Sequence, residues 1–335
     1  MARRRGTKGK AKRYPVQRFL YFDMEVTKVT SEHPEDTLYV DLAACLSAFN
    51  RRLYRQGMMY HVANVTFHDN QGDADIKLST LPNNWTTQAA HEAMFKAWKH
   101  QRARVLEGSS GEIAGKWADF KVWMNNNMRT QTASDLLVPI TSDGKKILMT
   151  YGPNPSPSTD AQRQEWNYSE VSYVDSGGSD YDNKPLVMLG ETVNGTSVAL
   201  IDELRKSMNV VHDASPALPD IQNSVIFGMN PSILEEMATT LEEIKDDNDV
   251  PPYNAKYPIG AYNPSSGYDT PYPVRECGIK TTQVNTATVG GFPVPLGLLQ
   301  IEVKSSSGDA NTPNIVGMLI ELVPGPYKGV AAEKF

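Results

Sequence analysis

The chain has 335 residues and a formal net charge of −6, with 24 Gly, 22 Pro and two cysteines. That length accommodates a large core in one elaborated domain or two. Two distant cysteines, Cys45 and Cys277, exclude a disulfide-rich scaffold and a four-cysteine zinc site, and no apolar run reaches the length of a transmembrane helix.

Charge is sorted along the chain. Residues 1–18 carry Arg3, Arg4, Arg5, Lys8, Lys10, Lys12, Arg13 and Arg18, and no carboxylate precedes Asp23. Subtracting these eight cations from −6 leaves −14 for residues 19–335. With Gly6, Gly9 and Pro15 interrupting it and almost nothing to bury, the arm is expected to stay unfolded until it meets an anion. A polyanion such as nucleic acid is the natural partner, and a solubilising tail is the alternative. No apolar h-region follows the charges, and the arm lacks the amphipathic face of a transit peptide.

Next, 20–29 alternates with Phe22, Met24 and Val26 on one side, which predicts a half-buried strand. Asp41 is placed as the N-cap of a helix near 41–56, with Leu42, Cys45, Leu46, Phe49 and Leu53 inward, Arg51, Arg52 and Arg55 in its last turns, and Gly57 as its stop. Period two returns at 58–68, with Met59, His61, Ala63, Val65 and Phe67 on one face, and again at 74–80. A helix near 86–106 follows. Its apolar stripe is Ala90, Met94, Ala97, Trp98 and Val105, and it carries Lys96, Lys99, Arg102 and Arg104. Those four are either a solvated basic face or a secondary nucleic-acid contact.

Further strands are expected at 117–124, 146–151, 168–174 and 185–189, and further helices near 197–208 and 231–245. The Pro/Tyr-rich stretch 251–273 cannot lie inside a sheet and reads as a long surface loop. Two apolar strands, 295–303 and 314–323, close the chain and are expected to be central.

Catalytic spacings fail. His91-Glu92 is followed by Phe95 where a zinc-protease helix needs histidine, and Gly111 to Lys116 is one residue short of a phosphate loop, with Trp117 in place of Ser or Thr. No Gly-x-Ser-x-Gly elbow occurs. His61, His68 and Asp69, or the acidic turn Asp246, Asp247 and Asp249, are the remaining metal candidates, each with a simpler reading as a strand or solvated-turn residue. The expectation is therefore no enzyme, no cofactor and no metal.

The arm Ala2-Arg3-Arg4-Arg5 to Arg13, the segment Asn50-Arg51-Arg52-Leu53-Tyr54-Arg55-Gln56-Gly57 before a strand, Leu81-Pro82-Asn83-Asn84-Trp85 before the basic helix, and the closing strand pair together carry a resemblance. The chain resembles the capsid proteins of small circular Rep-encoding single-stranded DNA (CRESS) viruses, with 152–290 matching least. The resemblance implies a single jelly roll, an eight-stranded antiparallel β-sandwich with inserted helices, its strands B to I at 20–29, 58–68, 74–80, 117–124, 146–151, 168–174 or 185–189, 295–303 and 314–323. It also implies self-assembly into a closed icosahedral (T=1) shell of about 60 copies, packaging of single-stranded genomic DNA by the arm, an unidentified host receptor, and residence in the virion. Basic composition of this kind also permits import into the host nucleus. The competing expectation is a non-assembling nucleic-acid-binding protein with a basic tail.

Overall fold

The computed structural model describes residues 15–27, 36–69, 74–108, 119–130, 136–147, 149–151, 164–174, 181–192, 196–208, 271–279, 285–305 and 314–335. The expected helix at 231–245, most of the Pro/Tyr stretch and the acidic turn at Asp246 lie outside them.

The chain is strand-rich, and its main strands form two four-stranded antiparallel sheets. Numbered along the chain, they are β1 (Phe19–Val26), β2 (Asp36–Asp41), β3 (Met58–His68), β4 (Ala74–Thr80), β5 (Tyr272–Ile279), β6 (Thr286–Val294), β7 (Leu298–Ser305) and β8 (Asn314–Leu322). One sheet has the order β1-β8-β3-β6 and the other β2-β7-β4-β5. As expected, the two closing strands are central: β8 lies between β1 and β3, and β7 between β2 and β4.

Alternation sets the buried faces. In β1, Leu20, Phe22, Met24 and Val26 are buried while Phe19, Tyr21 and Glu25 face solvent. Opposite them in register, Val316, Met318, Ile320 and Leu322 of β8 are also buried. Burying side chains of this kind stabilises the fold by about 1.5–3 kcal/mol each before chain entropy is counted.

Strand β3 departs from the expected alternation. Val65 and Phe67 are buried as predicted, but Tyr60 and Val62 point inward at its start in place of Met59, His61 and Ala63. The cause is a bulge. Pairing with β8 runs Glu321↔Asn64 and then Leu322↔Val62, so Ala63 is an extra residue that turns the strand over.

Three strand predictions are corrected. Residues 58–68 are not the second strand, because β2 precedes them, running through Leu38, Tyr39 and Val40 directly into a helix. No turn residue separates the two elements, and Asp41 both ends the strand and caps the helix. Residues 117–124 and 146–151 are not sandwich strands. The backbone of Lys121, Val122 and Trp123 bonds instead to Ser169, Gln56 and Leu186, and Met149–Tyr151 pairs in parallel with Gln164–Trp166. Both candidates for the seventh strand fall in a separate small sheet of Glu170–Val174, Tyr181–Val187 and Val198–Ala199.

The fifth and sixth positions belong to β5 and β6, which the sequence reading did not assign. Both are edge strands. Tyr272 and Pro273, expected at the end of a loop, open β5; an edge tolerates proline because one side of the strand needs no ladder partner. Strand β7 begins at Leu298, after a tight turn at Pro295–Gly297. Gly297 there has φ +70°, and a Cβ would stand 3.1 Å from the Tyr60 ring, so both conformation and space demand glycine.

Helix α1 (Leu42–Asn50) begins as predicted, with the Asp41 carboxylate accepting the Ala44 N–H at 3.0 Å. It ends early. Arg51 adopts a left-handed conformation (φ 51°, ψ 39°), so Arg51, Arg52 and Arg55 lie beyond the last turn and do not cap its dipole.

Between β4 and β5 lie α2 (Trp85–Gly108), α3 (Asn126–Thr130) and α4 (Leu200–Met208). Helix α2 starts where Asn84 Oδ1 accepts the Thr87 N–H at 3.0 Å, and it packs against α4. Ala90, Met94 and Ala97 are buried and Trp98 is half-buried, but Val105, predicted on that stripe, is 67% exposed because the stripe extends past its packing partners.

His91 sits on the buried side of α2 with ring centroids 5.3 Å from Phe120 and 5.8 Å from Phe335. Its Nε2 is buried without a hydrogen-bond partner. Burial pushes the imidazole down to about 4; Glu92 opposes the shift and Lys334 adds to it. Above the unfolded value of about 6.5 the fold bears no penalty from this group. As pH falls from there towards 4, the unfolded chain takes up a proton that the folded chain refuses, and stability declines by roughly 3 kcal/mol. Urea unfolding at pH 7.5 and pH 5 is expected to show a smaller acid-induced loss for His91→Leu than for the parent; equal losses would dismiss His91 as the source.

Candidate nucleic-acid interface

Pro15 to Arg18 form the root of the basic arm, and the root is held in place. The Gln17 N–H donates to Asn50 Oδ1 at 2.8 Å, and Asn50 Nδ2 donates back to the Gln17 carbonyl at 3.1 Å. Arg18 exchanges backbone contact with the end of β8: its carbonyl accepts the Leu322 N–H at 3.0 Å, and its guanidinium donates to the Leu322 carbonyl at 3.2 Å. Val16 lies against Gly329 so closely that any side chain there would overlap it.

These contacts deliver the arm next to the segment that follows α1. In that segment Tyr54 is buried, and its hydroxyl donates to the Lys328 carbonyl at 3.0 Å. Tyr327 Oη accepts the Arg55 N–H at 3.0 Å, and Tyr60 donates to the Arg55 carbonyl at 2.6 Å. The Tyr327 ring meets those of Tyr54 and Tyr60 edge-on at 6.0 and 6.3 Å. The Lys328 ammonium lies over the Tyr54 and Tyr327 rings, at 5.6 and 5.3 Å, and bonds to the Leu53 carbonyl.

The tyrosine cluster therefore gathers Arg51, Arg52, Arg55 and Lys328 around the point where the arm leaves the body. Their proximity has an electrostatic signature. Burial and then the guanidinium groups of Arg55 and Arg52 lower the Lys328 pKa, against the pull of Asp119. Asp119, 3.5 Å from Arg55, is the carboxylate paired with this group in the described residues. Like charges held together by packing create a local positive potential that a polyanion relieves.

Of the predicted site residues, Arg18 belongs to this cluster, while Arg3, Arg4, Arg5, Lys8, Lys10, Lys12 and Arg13 lie outside the described residues. Lys96, Lys99, Arg102 and Arg104 stand on a separate element, α2. There Lys96 approaches Glu92 at 3.4 Å, Arg102 covers the Trp98 ring at 5.3 Å, and Lys99 and Arg104 are exposed. Sequence reading missed the role of Arg51, Arg52 and Arg55 by assigning them to a helix end, although three arginines within five residues was a usable signal. Nothing local linked them to Lys328. The other polar candidates do not converge: His61 pairs with Glu333 at 3.2 Å, His68 meets Thr286 at 3.3 Å, and Asp69 accepts from Asn314 at 2.9 Å. No group of three potential metal ligands occurs among the described residues. Nor is any helix among them long and apolar enough to cross a membrane.

Fold and site together define the class: a strand-rich, antiparallel all-β protein with a basic arm rooted in a fixed cluster of cations. Comparison with protein-family models, curated proteins and solved structures finds no match to the chain.

Proposed function

We propose that the chain is a capsid protein of the CRESS-virus type, which assembles with copies of itself into an icosahedral shell and packages single-stranded DNA. On this reading the body is a jelly roll. Strand order supports it: first-eighth-third-sixth in one sheet and second-seventh-fourth-fifth in the other is the pairing expected when an eight-stranded ribbon folds over into two sheets. The observation that carries the functional reading is the arm root set among Arg51, Arg52, Arg55 and Lys328 on a body that is otherwise acidic. Cations concentrated at one place bind phosphates by releasing counterions without reading sequence. The acidic remainder keeps the folded body from collapsing onto the genome. The protein then acts structurally, in the virion, with no chemistry of its own.

Purified full-length chain is expected to form uniform closed particles that hold nuclease-protected nucleic acid. Soluble monomers or dimers at every salt concentration, in sedimentation and negative-stain microscopy, would overturn the proposal. Because Val16, Gln17 and Arg18 are part of the body's packing, the informative deletion is residues 2–14. It is expected to remove most packaged nucleic acid and leave the fold intact; unchanged packaging would reduce the arm to a solubility tail.

A further inference from the structure

Large apolar side chains left exposed on this body collect mainly on two surfaces of opposite charge. The first is the outer face of β1 and β8. Phe19, Tyr21, Ile315 and Leu319 are 36–54% exposed there, and Tyr21↔Leu319 are directly paired. Asp23 and Glu321 lie on the same face, at intermediate exposure, each in line with the apolar residues of its own strand. Burial of Tyr21, and then Asp23 beside it, raise the phenol's pKa, consistent with an acidic, partly desolvated surface.

The second surface is the solvent side of α2. Trp85 is 49% exposed and Phe95 37% exposed, with exposed Lys96 and Lys99 beside them. Trp85 and Phe95 are ten residues apart, about 15 Å along a helix. Ile315 and Leu319 are four apart, about 13 Å along a strand. Thus two apolar anchors with similar spacing are flanked by lysines on one surface and by carboxylates on the other.

We propose that these surfaces bind each other between two copies of the chain, α2 of one copy lying across the β1/β8 face of the next. This deepens the shell reading and rests on it. The contact is heterologous, since each copy offers one of each surface, and repeated contacts of that kind close into rings or shells when the rotation permits. Exposed aromatic residues are the side chains that most often anchor protein interfaces, and opposite charge around them fixes partner and register. The carboxylates on the β1/β8 face repel nucleic acid, so a protein surface is its fitting occupant. Lys96 and Lys99, expected from sequence to touch nucleic acid, are thereby assigned to a neighbouring subunit.

The test uses the full-length chain in four forms: parent, Lys96→Glu/Lys99→Glu, Asp23→Lys/Glu321→Lys, and all four changes together. Sedimentation velocity and negative-stain microscopy report assembly at low and moderate salt, and nuclease protection reports packaging. Each double variant is expected to lose particles to small species. The fourfold variant, and an equimolar mixture of the two doubles, are expected to regain them, because only a heterologous contact is restored by mixing. Double variants that assemble like the parent would overturn the contact and leave the shell reading standing. An α2 variant that assembles but loses protected nucleic acid would instead assign those lysines to the genome. Failure of the mixture to recover would overturn the pairing. A parent chain that stays monomeric at every salt would overturn the shell reading and this contact with it.

Discussion

Replacing Asp41 with alanine is expected to cost about 3–5 kcal/mol or more, enough to unfold much of the unassembled subunit at physiological temperature. The carboxylate is 1% exposed and accepts from four donors: the Ala44 N–H at 3.0 Å, Gln56 Nε2 at 3.1 Å, Trp166 Nε1 at 3.0 Å and the Tyr168 hydroxyl at 3.1 Å. These donors come from the start of α1, the segment after it, and the insertion between β4 and β5. One group therefore ties the insertion to the sandwich. Burial raises the Asp41 pKa, and the hydrogen bonds from Ala44, Tyr168, Trp166 and Gln56 pull against it.

Truncation to alanine would leave those donors buried without an acceptor, and each orphaned group costs about 1–3 kcal/mol. Asp41→Asn retains one carbonyl oxygen, so its loss is expected to be smaller than that of alanine. Urea unfolding of subunits held below the assembly threshold measures both. Should alanine and asparagine each shift the midpoint by less than ordinary surface substitutions do, the four hydrogen bonds would not be a structural hub.

The second large effect concerns salt dependence. In a chain lacking residues 2–14, the body retains the fixed cations at the arm root. Changing Arg51, Arg52, Arg55 and Lys328 to glutamine is expected to weaken binding of a single-stranded oligonucleotide. It should also flatten the slope of log K against log salt by roughly 3, from about 0.7 for each phosphate contact removed. Anisotropy of a labelled oligothymidylate across a salt series reads both quantities. Weaker binding with an unchanged slope would mean that the substitutions act through folding, since lost phosphate contacts must release fewer counterions. Lys328→Gln alone should give a small effect, because its ammonium is already partly engaged with the Tyr54 and Tyr327 rings and the Leu53 carbonyl.

How far the sequence could be read depended on how each element meets solvent. Strand β1 and the second half of β3 bury one face and wet the other, so their alternation was legible residue by residue. Helix α2 was legible for the same reason at helical period, with Val105 misplaced because burial depends on what the stripe meets. Strand β5 has six of its eight residues open or half-open before Ile279, and β6 contains Gly290, Gly291 and Pro293. Such edge strands have one ladder neighbour and little inward surface, so their composition resembles that of a loop. Strand β2 was hidden differently, by running into α1 without a turn.

By itself, then, the sequence determined the separation of a basic arm from an acidic body, the strand-rich class, the helix starts at Asp41 and near Trp85, and the central place of the two closing strands. These follow from charge and periodicity, which are local properties. Tertiary structure alone decided the pairing order of the eight strands, the reversal of β3 at Ala63, the Asp41 hub and the meeting of the arm root with Arg51, Arg52, Arg55 and Lys328. Each of those joins residues far apart in the chain. What brings them together is the burial of tyrosines and strand faces shared between distant segments, and no local pattern encodes which distant segment a face will meet.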